Sequence, residues 1–297
     1  MRRICIIFNP TARGNQAHRF RRRLGELAGA CVFKATTAPG VGRALAREAV
    51  EEGFTTVAAA GGDGTVNEVL NGLGDAPDGF ARAALGVIPL GTANVFAREM
   101  QFPFDLPKCW EILLRGKTAA VDLVRVGHRL RGEPVERWMV QVAGAGLDAR
   151  AVELVDWGLK QRTGYLAYIA AGLRALRETQ PKIVVQAGAT QVIGELVLLG
   201  NGRLYGGPFA LFPGADPHDG ALDARVLPRV TWGIALACGF KALTRRFERL
   251  GQAVDLRAAQ LELRSDQRVP LQIDGEFAGE LPARFEVAPS RLQVVVP

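Results

Sequence analysis

One aspartate, Asp63, stands among Gly61, Gly62 and Gly64 where an apolar run ends, and a helical pattern begins at Thr65. That arrangement suits phosphate chemistry. Glycines admit positive φ angles and remove side chains, so backbone N–H groups can point at a phosphate. The helix N-terminus beyond adds partial positive charge. Asp63 is placed to work beside a metal ion or a hydroxyl; the plainer alternative is a turn in which it only caps the helix. Neither the lysine of a P-loop nor a GxGxxG pattern is present. A second junction repeats the theme: a strand-like run ends in Leu90-Gly91-Thr92, and a helix is expected near Asn94. A third follows the first apolar run, at Asn9-Pro10-Thr11-Ala12-Arg13-Gly14. Three such junctions converge at the carboxyl edge of a parallel sheet, where α/β folds bind ligands, and together they predict a nucleotide site.

The elements that must position these loops alternate. Apolar runs at residues 3–8, 31–35, 56–60 and 84–89 read as strands, and residues 16–28, 42–52, 65–73 and 94–100 read as amphipathic helices. Continuous apolar strands separated by helices predict a parallel sheet covered on both faces. After about Asp122 the pattern changes to longer, alternating runs at 136–142, 182–186, 191–199, 221–226, 258–264, 270–273 and 284–287, with one helical region at 149–178 and a hairpin tip in 129–137. The expected fold is therefore an α/β N-terminal domain with a parallel sheet, residues 1–122, followed by a mostly antiparallel β-sandwich domain, residues 123–290. A last strand at about 291–297 is expected to return to the first domain.

The formal charge of +7 and pI near 9.6 suit an anionic lipid, a polyphosphate or nucleic acid. The arginine runs at 19–23 and 245–249 lack the interleaved aromatics of a single-strand groove, which argues against nucleic acid. Cys5, Cys31, Cys109 and Cys238 are isolated, with no ligand spacing, and read as small buried hydrophobes in a reducing compartment. The amino end is too short for a signal region, and the apolar stretches at 166–176 and 232–243 are interrupted by Arg174 and Lys241. Neither approaches the ~20 residues of a membrane span. A soluble protein that at most touches a membrane is expected. The segment ADPHDGALD is acidic and Gly-containing, with oxygen ligands of the kind Mg²⁺ takes, or else an ordinary Asp-rich turn.

The motifs NPTARG, GGDGTVNEV, PLGTANVFAR, VDLVRV, GNGRLYGGPFALFPGADPHDGALDARVL and IDGE, in this order, resemble the diacylglycerol kinase catalytic-domain family over nearly the whole chain. GGDGT alone is shared with NAD kinases of related fold. The resemblance implies an ATP- and Mg²⁺-dependent lipid kinase acting on a hydroxyl of diacylglycerol or a related lipid. It implies that Asn9, Thr36, Gly61, Gly62, Asp63, Gly64, Thr65, Glu68, Thr92 and Asn94 line the ATP site, with Asp63 acting catalytically through the metal. Glu276 corresponds to the general base that takes the proton of the lipid hydroxyl; by its residues alone, Ile273-Asp274-Gly275-Glu276 is a β-turn. Asp122 corresponds to an aspartate of the metal network. Asp219, with Asp216 and Ala221, corresponds to a structural Mg²⁺ loop. The implied partners are a lipid substrate, a transient membrane surface and no nucleic acid, with a homodimer left open. The implied location is cytoplasmic, peripheral to the inner face of the membrane. Three positions depart from the pattern: Val95 where an acid is usual, His218 where many relatives carry a second acid, and the order Arg13-Gly14. The alternatives are a NAD kinase-like enzyme and a weakly catalytic, nucleotide-regulated lipid-binding protein.

Overall fold

The computed structural model describes residues 2–11, 20–23, 31–155, 165–233 and 253–297. Ala12, Arg13 and Gly14, most of the 16–28 helix, Cys238 and the 245–249 arginine run lie outside them. The chain divides into two compact units, residues 1–123 with 289–297, and residues 124–288.

In the first unit, strands β1 (Ile4–Phe8), β2 (Val32–Ala35), β3 (Thr56–Gly61) and β4 (Ala84–Pro89) form a parallel sheet in the order β4-β3-β1-β2. Every residue of β1, β3 and β4 is buried, as expected of strands covered on both faces. On one face, Ile4, Ile6, Phe8, Ala58, Ala60 and Ile88 pack with Cys109, Trp110 and Leu113. The last three belong to helix Leu106–Arg115, which the periodicity reading passed over. Its start was written in the sequence: Asp105 caps Lys108 N–H at 3.1 Å, and Pro107 stands in the first turn. Helices α1 (Val41–Glu51) and α2 (Asp63–Asp75) pack on each other. Gly72 makes this fit possible, because a Cβ there would strike the Arg43 carbonyl and the Ala46 side chain. After α2 come the short helices α3 (Gly79–Arg82) and α4 (Val95–Glu99), then the Leu106–Arg115 helix, α5. Near the carboxyl terminus, Val294 pairs in parallel with Leu85.

The second unit is antiparallel. Strand β5 (Lys117–Leu130), which begins in the first unit, forms a hairpin with β6 (Glu133–Met139). The tip is the two-residue turn Arg131-Gly132, both at positive φ. Then follow β7 (Val142–Gly146), helices α6 (Leu147–Leu154) and α7 (Tyr165–Ala175), β8 (Ile183–Ala187), β9 (Thr190–Gly194), β10 (Leu196–Gly200), the short pair β11 (Leu204–Tyr205) and β12 (Phe209–Ala210), β13 (Leu222–Leu227), β14 (Val254–Ala258), β15 (Gln260–Arg264), β16 (Pro270–Ile273) and β17 (Glu276–Val296). One layer runs β14-β13-β10-β7-β16-β17, and β15, β8 and β9 continue from β17. Val126, Met139, Ala145, Val185, Val197, Ala224, Leu263, Leu271 and Phe285 share the core between the layers. This is the expected β-sandwich.

The run read as one strand at 191–199 is split, and the run at 258–264 joins the last residue of β14, whose residues 254–257 were not read as strand, to the whole of β15. Residues 190–194 pair with β8 while 196–200 pair with β7 and β13; residues 254–258 pair with β13 while 260–264 pair with β8 and β17. Each run changes partner at one residue, Glu195 or Ala259, which is how sandwiches turn corners. Alternation continues through the change, so period-2 patterning does not reveal it. The opposite error occurs at β17, where Gly279, Pro282 and Pro289 made one 21-residue strand read as separate pieces.

Candidate functional site

Strand register brings the predicted loops of the first unit together. Phe8 stands opposite both Ala35 and Ala60, and Gly61 opposite Pro89. The residues just beyond these ends are stitched by backbone bonds: Asn9 N–H to Ala60 O (3.0 Å), Thr36 N–H to Phe8 O (2.9 Å) and Leu90 N–H to Gly61 O (2.7 Å). Asn9, Thr36, the GGDG loop and the 91–94 loop therefore lie along one carboxyl edge. Asn9 Nδ2 is 3.5 Å from Thr65 Oγ1, so the first motif touches the second.

Helix α2 begins at Asp63, two residues earlier than periodicity indicated, with Gly62 at the N-cap. Asp63 is therefore not the cap. Its Oδ1 instead accepts from Phe96 N–H at 3.2 Å, tying the GGDG helix to α4. The two glycine loops meet: a Cβ on Gly91 would lie 2.5 Å from Gly62 Cα, and one on Gly61 would collide with the Thr65 side chain. Gly91→Ala is expected to force these backbones apart, abolishing nucleotide-dependent protection in a thermal-shift assay and lowering the apo Tm by several degrees. An ATP-induced shift equal to wild type would contradict this.

Two of the named nucleotide residues support the loops. Glu68 receives Gly40 N–H on Oε1 and Gly42 N–H on Oε2, both at 2.7 Å, and so holds the start of α1. Asn94 is buried at φ 47, and its amide closes the 91–94 loop by accepting from Gly91 N–H (2.9 Å) and donating to Gly91 O (2.7 Å). Thr92 is exposed, Thr36 and Thr65 are buried, and Val95 is buried in the first turn of α4.

The metal residues present a different picture. Asp122 is 2 % exposed and paired with Arg291 Nε at 3.0 Å. In the second unit, Asp219 Oδ1 accepts from Ala221 N–H at 3.0 Å, while Oδ2 meets Arg257. Asp216 Oδ1 accepts from His218 N–H at 3.1 Å. Guanidinium groups thus stand against Asp122 and Asp219, two of the carboxylates expected to face cations, and these two side chains as arranged do not fit a bound Mg²⁺. No cluster of three or more His, Cys, Asp or Glu suited to a metal occurs among the described residues. Asp223, opposite Arg257 in the β13–β14 pair, is the acid of this loop whose carboxyl burial pushes up. Millimolar Mg²⁺ is expected to leave the Tm of the nucleotide-free protein within about 1 °C of its metal-free value. In Arg257→Ala, which uncovers Asp219, Mg²⁺ is expected to raise it. A rise of several degrees in wild type would restore the metal loop.

Glu276 opens β17 in the second unit and is half-buried. Its Oε2 lies 3.7 Å from Arg137 Nη2. The turn before it, Asp274 (φ 50) and Gly275 (φ 83), is a tight hairpin of the DG type. Asp274 is more than a turn residue. Its carboxylate accepts from the N–H groups of Val140 (3.2 Å), Gln141 (3.0 Å) and Val142 (3.0 Å). Sequence reasoning missed this anchor, although the DG turn residues signalled the geometry.

Residues 3–126 match the family model described as the diacylglycerol kinase catalytic domain, and residues 141–296 match the YegS C-terminal NAD kinase beta sandwich-like domain. The chain is 34 % identical over 255 residues to the protein named "Probable lipid kinase YegS-like" of Xanthomonas euvesicatoria pv. vesicatoria, covering 84 % of this chain and 81 % of that one. The chain belongs to the diacylglycerol kinase catalytic-domain family of lipid kinases. A second family member, the diacylglycerol kinase of Bacillus subtilis, is 29 % identical over 310 residues, covering 100 % of this chain and 97 % of its own. The family fold is shared with the crystal structure of a diacylglycerol kinase from Bacillus anthracis, with a TM-score of 0.76 at 20 % identity, covering 100 % and 97 % of the two chains.

Proposed function

We propose that this chain transfers the γ-phosphoryl group of ATP to a hydroxyl of diacylglycerol or a related lipid. The observation that carries the reading is the close approach of Gly62 and Gly91 at one sheet edge, which leaves side-chain-free backbone and the α2 N-terminus for a polyphosphate. Asn9, Thr36, Thr65 and Thr92 supply polar side chains along that edge, and Glu68 and Asn94 keep its loops in shape. The Glu276 carboxylate accepts the proton as the lipid oxygen bonds to the γ-phosphorus and the bond to the leaving ADP oxygen breaks. Mg²⁺ arriving with the nucleotide supplies charge neutralisation, and half-buried Asp63 is the carboxylate proposed to face it.

The substrate class brings the protein to a bilayer surface, proposed to be the cytoplasmic face. Supporting this, Ile169 and Leu173 lie exposed on one side of α7, beside Arg174. Among the described residues no helix is long and apolar enough to cross a membrane. The test is ADP release from ATP against hydroxyl lipids in anionic mixed micelles, with NAD as a further acceptor and Asp63→Asn as the control. Release with one lipid, lost in the variant, supports the proposal; release with NAD alone overturns it. Buried Val95, which cannot bind a cation, favours the second reading, a nucleotide-regulated lipid-binding protein. That reading predicts ATP and lipid binding with no ADP release.

A further inference from the structure

Three polar side chains in the second unit have no part in the chemistry above, yet they meet behind the turn that carries Glu276. Tyr205 Oη donates to Asp148 Oδ2 at 2.7 Å. Gln272 is 2 % exposed; its Nε2 donates to the same Asp148 oxygen at 3.0 Å and to Tyr205 Oη at 2.7 Å. Both amide hydrogens of Gln272 are thereby used, which fixes the direction of its carboxamide. The remaining atom, Oε1, accepts from Gly275 N–H at 2.8 Å. Gly275 is the residue directly before Glu276. Room for the cluster comes from Gly144, which stands opposite Gln272 in the β7–β16 pair; a Cβ there would strike Asp148 and lie 2.7 Å from Tyr205 Oη.

From this geometry we infer that Gln272, oriented by Asp148 and Tyr205, is a positioning residue that holds the 274–275 turn and so aims the Glu276 carboxylate at the lipid hydroxyl. The inference rests on the reading of Glu276 as the general base. The Gly275 N–H can be met only by the amide oxygen of Gln272, so the amide nitrogen faces Asp148 and Tyr205, and Tyr205, taking one of its hydrogens, donates to Asp148. Burial pushes the Asp148 carboxyl up, and the bonds from Tyr205 and Gln272 offset only part of that rise. A turn fastened on one side by Asp274 and on the other by Gln272 has little freedom to swing, and misplacement of a reacting group by about 1 Å can cost ~10²-fold in rate.

The experiment is a double-mutant cycle on lipid phosphorylation by the full chain, using Gln272→Met and Glu276→Gln singly and together. Gln272→Met keeps the volume and removes all three hydrogen bonds. It is expected to lower kcat by about ten- to a hundredfold with KM for ATP unchanged. In the Glu276→Gln background the same change is expected to cost nothing more, because the residue acts through Glu276. Tyr205→Phe, which leaves the Gln272–Asp148 bond in place, should show a smaller loss with the same disappearance, and serves if Gln272→Met does not fold. Wild-type turnover in Gln272→Met, beside an inactive Glu276→Gln, overturns this inference alone. An equal loss in both backgrounds also overturns it, marking a merely structural role. Near-normal turnover in Glu276→Gln overturns the general-base reading itself, and the inference falls with it.

Discussion

Glu276→Gln is expected to lower transfer to a hydroxyl lipid by about 10²–10⁴-fold, the usual contribution of a positioned general base. Glutamine keeps the shape and length of the side chain but cannot take a proton from the attacking hydroxyl. The fold should not notice. Glu276 is half-buried at the start of β17, and its ion pair with Arg137 at 3.7 Å is long and partly exposed on both sides. Pairs of that kind contribute about 0–1 kcal/mol. The thermal midpoint and the ATP-induced thermal shift should therefore match wild type. Glu276→Asp, which withdraws the carboxylate by one methylene, should retain the proton acceptor at poorer reach and fall between the two. Measured kcat values for the three proteins, with one lipid at saturation, check the ordering. Glutamine turnover within about threefold of wild type, well short of the loss expected on removing a general base, would remove Glu276 from the mechanism.

The largest effect on stability is expected at Asp274. Its side chain, in a residue only 6 % exposed, takes three backbone N–H groups, and its own N–H donates to Val142 O at 2.7 Å. Removing the carboxylate leaves three donors without an acceptor, at about 1–3 kcal/mol for each that water does not reach. Asp274→Ala is accordingly expected to lose about 3–5 kcal/mol and to lower Tm by roughly 10 °C. Asp274→Asn should lose less: its oxygen can still serve Gln141 and Val142, which share Oδ1, while its amide nitrogen would face Val140 N–H. Calorimetric melting distinguishes the two, and an alanine variant as stable as wild type would refute the anchoring role. Asp274→Ala should also turn over poorly, because the anchor and Glu276 are separated only by Gly275.

How much of this was legible from the residues depends on the type of signal. The parallel sheet was legible because ICIIF, TVAAAG and ALGVIP are uninterrupted apolar runs, each closed by a turn or glycine. The three loops were legible because glycine and aspartate at strand ends have few structural alternatives. Roles within the loops were not. Glu68 and Asn94 belong to the expected set by position, yet their atoms are spent on Gly40, Gly42 and Gly91, and only side-chain direction reveals that. Asp122 and Asp219 are opposed by Arg291 and Arg257, which lie 169 and 38 residues away in sequence, so no local pattern could have paired them. The Asp148–Tyr205–Gln272 cluster is hidden for the same reason: its members come from α6, β11 and β16 and meet only in the folded unit.

The most direct test of the central claim follows the phosphorus atom. Wild type and Glu276→Gln would be incubated with ATP labelled at the γ-position, Mg²⁺ and diacylglycerol in anionic mixed micelles. The lipid would then be extracted and its label counted. Label is expected in a phosphorylated lipid, in step with ADP formed, with a loss of about 10²-fold or more in the variant. Equal label from the two proteins, or ADP release with none of the label in lipid, would contradict the central claim.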